Sequence, residues 1–263
     1  MKNIIAAVLV MAAFASCKKD NEPAYNNSLK AELSVEFDNV AGSADLQLNT
    51  ATYTNGAGES LKITKVKYYV SNFLLTTTGG TVYQVPQDSC YFLIDESDAS
   101  THEPSLKVPE GEYATLSFMV GVDSLRNTMD ISKRTGVLDP TGVASDMYWG
   151  WNSGYIFAKF EGTSPAITAS GNVFQYHIGG FGGYSSSTPN NLKTITLDLT
   201  ARGVAKVKTG KDTNIHLFVD VLKAFTGATN MSFATTAMIH SAAPGVVVAN
   251  NYASMFRHDH TEN

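Results

Sequence analysis

The chain has 263 residues, of which 43% are hydrophobic and only 16% charged, and its formal net charge is −5. Beyond Lys18-Lys19 there is no cluster of basic residues, which excludes the electrostatic footprint of a nucleic-acid partner. Past the first residues no apolar run approaches the roughly 18 needed for a membrane-spanning helix, and the length suits one large all-β domain.

The chain opens on Met1-Lys2-Asn3, an apolar stretch from Ile4 to Phe14, and Phe14-Ala15-Ser16-Cys17. A short positive region, an apolar core and a small-residue site ending in cysteine look like a bacterial lipoprotein signal. The expected organisation is a signal peptide over 1–16, a lipidated Cys17 with a polar tether over 17–30, a single β domain over 31–257 and a flexible tail over 258–263. Two or more acyl chains on Cys17 give stable anchoring to a membrane. Asp20 and Glu22 after it point to the outer membrane of the cell envelope, facing the periplasm or the surface. With Cys17 lipidated, Cys90 has no intrachain disulfide partner. Its setting, Cys90-Tyr91-Phe92-Leu93-Ile94, predicts a buried inert thiol rather than a copper ligand.

Alternating runs then follow in order: Leu33 to Phe37, Leu46 to Leu48, and Leu61 to Leu75, the last with imperfect alternation. Gly79-Gly80 marks a hairpin before Thr81 to Val85 and Cys90 to Ile94. Asp95 to Pro109 reads as an exposed loop carrying His102, and Tyr113 to Val120 as a strand. Gly121 to Asp146 has no period. A segment that long is functional or holds short helices. It leads into Met147 to Gly162 (MYWGWNSGYIFAKFEG), which contains both tryptophans. At period two, Trp149, Trp151, Tyr155 and Phe157 share one face and Gly150, Asn152, Gly154 and Ala158 the other. The glycines predict a bulge or a close backbone approach. An aromatic sandwich core is the plainer account of the same pattern. Val173 to Ile178, Leu192 to Leu199, Val204 to Val207 and Asn214 to Val221 complete the strands, and the end from Val246 to Phe256 is apolar. The predicted fold is all-β, an antiparallel β-sandwich or Greek-key barrel with long loops and at most short helices.

No Gly-x-Ser-x-Gly, His-Glu-x-x-His, phosphate loop or paired-cysteine zinc spacing is present, so the chain is not expected to be an enzyme. Six histidines remain. His177 and His240 each end a strand-like run, where a ligand can face a cleft, although a lone histidine is more often structural. His102 reads as a surface residue and His216 as a strand residue. His258-Asp259-His260 is a weak metal-site candidate on the expected tail.

Several motifs together resemble the MbnP-like copper-binding domain family of bacterial periplasmic proteins and lipoproteins, from about Leu33 to Phe256. They are Phe37-Asp38-Asn39-Val40, Lys65 to Asn72, Gly111-Glu112-Tyr113, Gly121-Val122-Asp123, Met147 to Gly162, Tyr176-His177-Ile178-Gly179-Gly180, Val219-Asp220-Val221 and Asn250-Asn251-Tyr252. The resemblance implies a copper protein in which a tryptophan is oxidised to kynurenine, whose arylamine joins histidines on Cu(I). It also implies a diheme, cytochrome c peroxidase-like partner that performs the oxidation. Carried over, Trp149 or Trp151 is the residue oxidised and His177 the foremost ligand, with His240 or a methionine such as Met147 standing in for a histidine this chain lacks at Asn39. Asn39 stands where many relatives are expected to carry histidine, and an amide is a poor replacement on copper. The expected function is copper acquisition, storage or transfer. The alternative from another class is a carbohydrate-binding or structural surface lipoprotein with an aromatic platform and no metal.

Overall fold

The computed structural model describes residues 24–150 and 154–263. The expected signal peptide, Cys17 and Trp151 lie outside the described residues. The first half carries β1 (Lys30–Ala41), β2 (Ala44–Asp45), β3 (Tyr53–Thr54), β4 (Ser60–Thr77), β5 (Val82–Gln84), β6 (Tyr91–Asp95), β7 (Ser105–Pro109) and β8 (Gly111–Val120). After α1 (Ser124–Thr128) come β9 (Tyr148–Trp149), β10 (Gly154–Thr163), β11 (Val173–Gly179), β12 (Lys193–Asp198), β13 (Ala205–Val207) and β14 (Thr213–Asp220). The chain finishes with β15 (Met238–Ile239), α2 (Ala242–Tyr252) and β16 (Phe256–Glu262). Among the described residues, no helix is long and apolar enough to cross a membrane.

These strands form two sheets, and the fold is all-β as the periodicity predicts. The five-stranded sheet runs β16-β14-β1-β2, with β7 also on β1; the eleven-stranded sheet runs β12-β8-β4-β10-β11-β15, with the short strands attached to β4, β8 and β10. Pairing is mostly antiparallel, but β1 with β14 and β11 with β15 are parallel. Alternation in β1 turns Leu33, Val35 and Phe37 inward, all fully buried. Phe37 meets Phe118 edge-on with ring centroids 5.5 Å apart, and Tyr68 at 6.3 Å, which ties the small sheet to the centre of the large one. Burial of one such side chain is worth about 1.5–3 kcal/mol.

The imperfect alternation of β4 has a structural cause. Gly162 faces Ile63 while Glu161 faces Lys65, so Thr64 is an extra residue, and Ile63 and Val66 both reach the core despite their odd spacing. A side chain at Gly162 would strike the Lys62 carbonyl and the Phe174 ring. A second irregularity at Asn72, which has φ 52°, returns Phe73 and Leu75 to the interior.

Two segments depart from expectation. Asp95 to Pro109, expected as a loop, supplies β7, which pairs with β1 from Lys30↔Pro109 to Ser34↔Ser105. Residues 258–263, expected as a flexible tail, lie largely in β16, which pairs with β14 from Asn214↔Glu262 to Val219↔Phe256. The polar sequence His258 to Thr261 hid this strand, because only Phe256 and His258 turn inward. Cys90 is a free, buried cysteine as expected, and burial pushes its thiol pKa up.

Candidate functional site

The unperiodic segment before the tryptophans folds over the outer face of the large sheet. It contains α1 and several 3₁₀ turns, and it covers a second apolar cluster that includes Tyr69, Leu93, Met147, Trp149, Tyr155 and Phe157. Asn127 fastens this cover to the sheet. It is 3% exposed; its Oδ1 accepts from the Tyr155 amide at 2.9 Å and its Nδ2 donates to Val122 O at 2.6 Å. Any side chain at Gly154, φ 65°, would overlap the Asn127 amide, so the expected close approach at a glycine is present. The expected clean split of faces is not. A register shift between Ile156 and Ala158 breaks the alternation, and Tyr155, Ile156 and Phe157 are all buried.

Beside this cluster the same outer face turns polar. Lys159 on β10 stands opposite Lys67 on β4 and His177 on β11. Asp146, from the covering segment, lies 3.3 Å from Lys67 Nζ and 3.4 Å from Lys159 Nζ, and Lys67 also meets Asp95 at 2.9 Å. Burial alone would lower the Lys67 pKa, but its hydrogen bonds to Asp95 and Asp146 prevail and raise it. Lys159 is 4% exposed, and burial carries its pKa below the ordinary lysine value despite Asp146 and Glu161.

His177 ends this row. Its Nε2 meets Glu161 Oε1 at 2.7 Å, and its ring stacks on His240 with centroids 4.6 Å apart and planes inclined at 23°. The pairing Tyr176↔Ile239 puts His240 next in register to His177. Ser241 then leads into α2, which is docked by Asn191, whose Nδ2 reaches Gly179 O at 2.7 Å and Ala242 O at 2.8 Å. His240 is therefore held between a strand and a helix, although its side chain is exposed. Burial depresses the His177 pKa, with the Lys159 charge and His240 adding to that and the Glu161 hydrogen bond opposing it. The balance favours a neutral imidazole. With Nε2 bound to Glu161, the Nδ1 lone pair is the one available to a metal, the carboxylate–histidine arrangement that orients metal-binding imidazoles.

Trp149 reaches the same neighbourhood. A Cβ placed on Gly179 would lie 2.9 Å from Trp149 Cζ3. Gly179 is two residues beyond His177 on one face of β11, a separation of about 6.6 Å along a strand. Thus Trp149, His177 and His240 gather on one sheet face, while Trp151 lies outside the described residues. Among the described residues, no third imidazole, thiol or carboxylate lies within 4.8 Å of the ligand atoms of both histidines; Glu161 contacts His177 alone. Trp149 is 4% exposed, which leaves it no open ring face for stacking a sugar.

A family model described as MbnP matches residues 30–243, well over half of the chain. The chain belongs to the MbnP family. A solved structure, MbnP from Methylosinus trichosporium, is similar at 17% identity with a TM-score of 0.50, covering 82% of each chain; this likeness concerns the fold. No curated protein matches the chain significantly. Within this MbnP fold Asn39 is not part of the His177 site. It is 3% exposed and faces the interior between the sheets, accepting from Tyr68 OH and donating to Glu96, both at 2.9 Å. Its amide is satisfied at both ends, so asparagine there removes no donor from the His177–His240 pair. Sequence reasoning missed Glu161 and Lys159. Their signal was faint: two charges flanking Phe160 in an otherwise apolar strand.

Proposed function

We propose that this MbnP-family protein binds copper as cargo for acquisition, storage or transfer, without catalytic turnover, and is lipid-anchored through Cys17 in the cell envelope. The observation that carries the reading is the stacked pair His177 and His240, 4.6 Å apart, beside Trp149. Imidazole nitrogens are borderline donors that suit Cu(I), with Glu161 orienting His177 through Nε2. An intact indole nitrogen is a poor ligand. Four-electron oxidation of Trp149 or Trp151 cleaves the indole C2–C3 bond with two oxygen atoms added, and hydrolysis then releases C2 as formate and leaves kynurenine, whose arylamine supplies a further donor. The oxidant is a diheme, cytochrome c peroxidase-like partner, and the signal sequence with Asp20 and Glu22 supports an outer-membrane position facing the periplasm or the surface.

Two measurements test this. Competition with a chromophoric Cu(I) chelator should show affinity falling at least about tenfold in His177→Ala and in His240→Ala; equal affinity in both variants and the parent refutes the site. The mass of the tryptic peptide from Thr135 to Lys159, taken from native material, should show a kynurenine localised to one tryptophan. Two intact indoles would leave a histidine-only site and remove the oxidised-tryptophan part of the reading.

A further inference from the structure

A second group of potential ligands lies on the other sheet and, in part, beyond the matched residues 30–243. On β14 and β16 the pairing runs His216↔His260 and then Leu217↔His258, so Asp259 is one residue too many on β16. In a regular strand Asp259 and His260 would point to opposite faces. The bulge turns both toward His216, while His258 stays on the buried side with Nε2 2.9 Å from Thr261 Oγ1.

The three side chains converge. His216 and His260 stack with centroids 4.9 Å apart and planes at 24°. Asp259 Oδ2 lies 2.8 Å from His260 Nδ1 and 3.5 Å from His216 Nδ1. Each of the three residues offers a ligand atom within 4.8 Å of the other two. The other imidazole nitrogens face carboxylates: His216 Nε2 is 3.6 Å from Asp38 Oδ2, and His260 Nε2 is 3.4 Å from Glu262 Oε1. Of the Asp259 carboxylate oxygens, Arg202 and Arg257 approach Oδ1, at 3.6 and 3.9 Å, which leaves Oδ2 to the histidines. His216 Nδ1 is buried and has no hydrogen-bond partner. An orphan buried nitrogen is costly unless something completes it.

We propose that His216, Asp259 and His260 bind a divalent transition-metal ion of the zinc and copper(II) class, separate from the His177 site. Two imidazoles and one carboxylate are the donors such ions take, with a fourth position left to water. Metal–ligand bonds of about 2.0–2.2 Å place tetrahedral donors about 3.4 Å apart, close to the observed 3.5 Å between His216 Nδ1 and Asp259 Oδ2. The shorter contact from Asp259 to His260 opens when the ion replaces the shared proton. Asp38 and Glu262 act as positioning residues, accepting from Nε2–H of the two histidines.

The test is calorimetric titration of the untagged full chain with Zn²⁺, with Co²⁺ absorption as a coordination readout. The parent and the His177→Ala/His240→Ala double variant should both bind zinc at this site and give a tetrahedral Co²⁺ band. Asp259→Asn and His260→Ala should weaken it by more than the roughly 10–100-fold that loss of an outer-shell partner costs, and Asp38→Asn by about that amount. His260 is 45% exposed, so its variant is expected to fold, and thermal melting in chelator checks this. Zinc binding of equal affinity in Asp259→Asn, or no zinc binding by the parent at millimolar metal, overturns the proposal. Loss of zinc only in the His177/His240 variant overturns it too, assigning the metal to the other site.

Discussion

Replacing Gly179 with alanine tests whether Trp149 is packed against the histidine strand. The new Cβ would lie 2.6 Å from the Tyr155 carbonyl oxygen and 2.9 Å from Trp149 Cζ3. Ordinary contact begins near 3.4 Å, so the carbonyl would have to retreat by about 0.8 Å and the indole by about 0.5 Å. The carbonyl belongs to β10, which pairs with β11 at Ile156↔Gly179, and it cannot move without straining that ladder. The indole sits in a filled cluster at 4% exposure. Overpacking of this kind costs about 1–3 kcal/mol, of which roughly 0.5–1 kcal/mol is offset by the smaller entropy of the unfolded alanine chain. The expected net loss is about 0.5–2 kcal/mol, with a change in tryptophan emission as the ring shifts. Urea unfolding followed by circular dichroism gives the first quantity and native-state fluorescence the second. A midpoint and emission maximum both equal to the parent's would refute the packing of Trp149 on Gly179.

Glu59 accepts from Asn55 Nδ2, Ser232 Oγ and the amides of Phe233 and Ala234, at 2.9, 2.7, 2.6 and 3.1 Å. Burial alone would raise its pKa, but these bonds hold it below the ordinary 4.5. Its contribution is complete above the unfolded value and is lost as pH falls through the depressed folded value. Glu59→Gln should therefore lose about 1–2 kcal/mol at neutral pH after allowance for solvent screening. Its stability should also fall less steeply than the parent's on acidification below about 4.5, as denaturant midpoints across that range would reveal. Asn127→Ala strands the Tyr155 amide and the Val122 carbonyl, so a loss of about 1–3 kcal/mol and faster exchange of the Tyr155 amide proton are expected. Cys90 is 1% exposed with a raised pKa, and it should react with a thiol reagent only after denaturation; rapid labelling of the native chain contradicts its burial.

The two-sheet core was legible because burial and period agree there. Leu33, Val35 and Phe37 alternate cleanly, and all three are inside. Legibility failed where a strand carries no apolar signal or where the partner is distant in sequence. Ser105 to Pro109 looks like a loop, yet its edge is needed by Lys30 to Ser34. Residues 258–263 look like a solvated end, yet β14 would otherwise expose its backbone edge. The helix α2 escaped notice for a different reason. Its Pro244 and Gly245 lower local propensity, and burial of Ala242, Gly245, Val248, Ala249 and Tyr252 against the large sheet supplies what propensity does not.

The candidate sites show a narrower limit on sequence reading. His177 and His240 were legible singly, as residues ending strands, but their stacking depends on the parallel bridge Tyr176↔Ile239, which no local pattern encodes. Because side chains alternate with period two, a single inserted residue exchanges the faces of everything beyond it. That is what separates His258 from His260: counted by period they share a face, and the bulge at Asp259 sends His258 inward and brings Asp259 and His260 together over His216. Deleting Asp259 removes the bulge and restores a regular register in which His258 still faces Leu217 and His260 still pairs with His216, so both histidines keep their faces. The deletion therefore loses the carboxylate donor without separating the imidazoles, and it should bind zinc about as weakly as Asp259→Ala, which keeps the bulge and loses the same donor. A deletion that binds no zinc where Asp259→Ala still does would mean that the bulge itself, and not only the Asp259 carboxylate, is needed to hold the two imidazoles together.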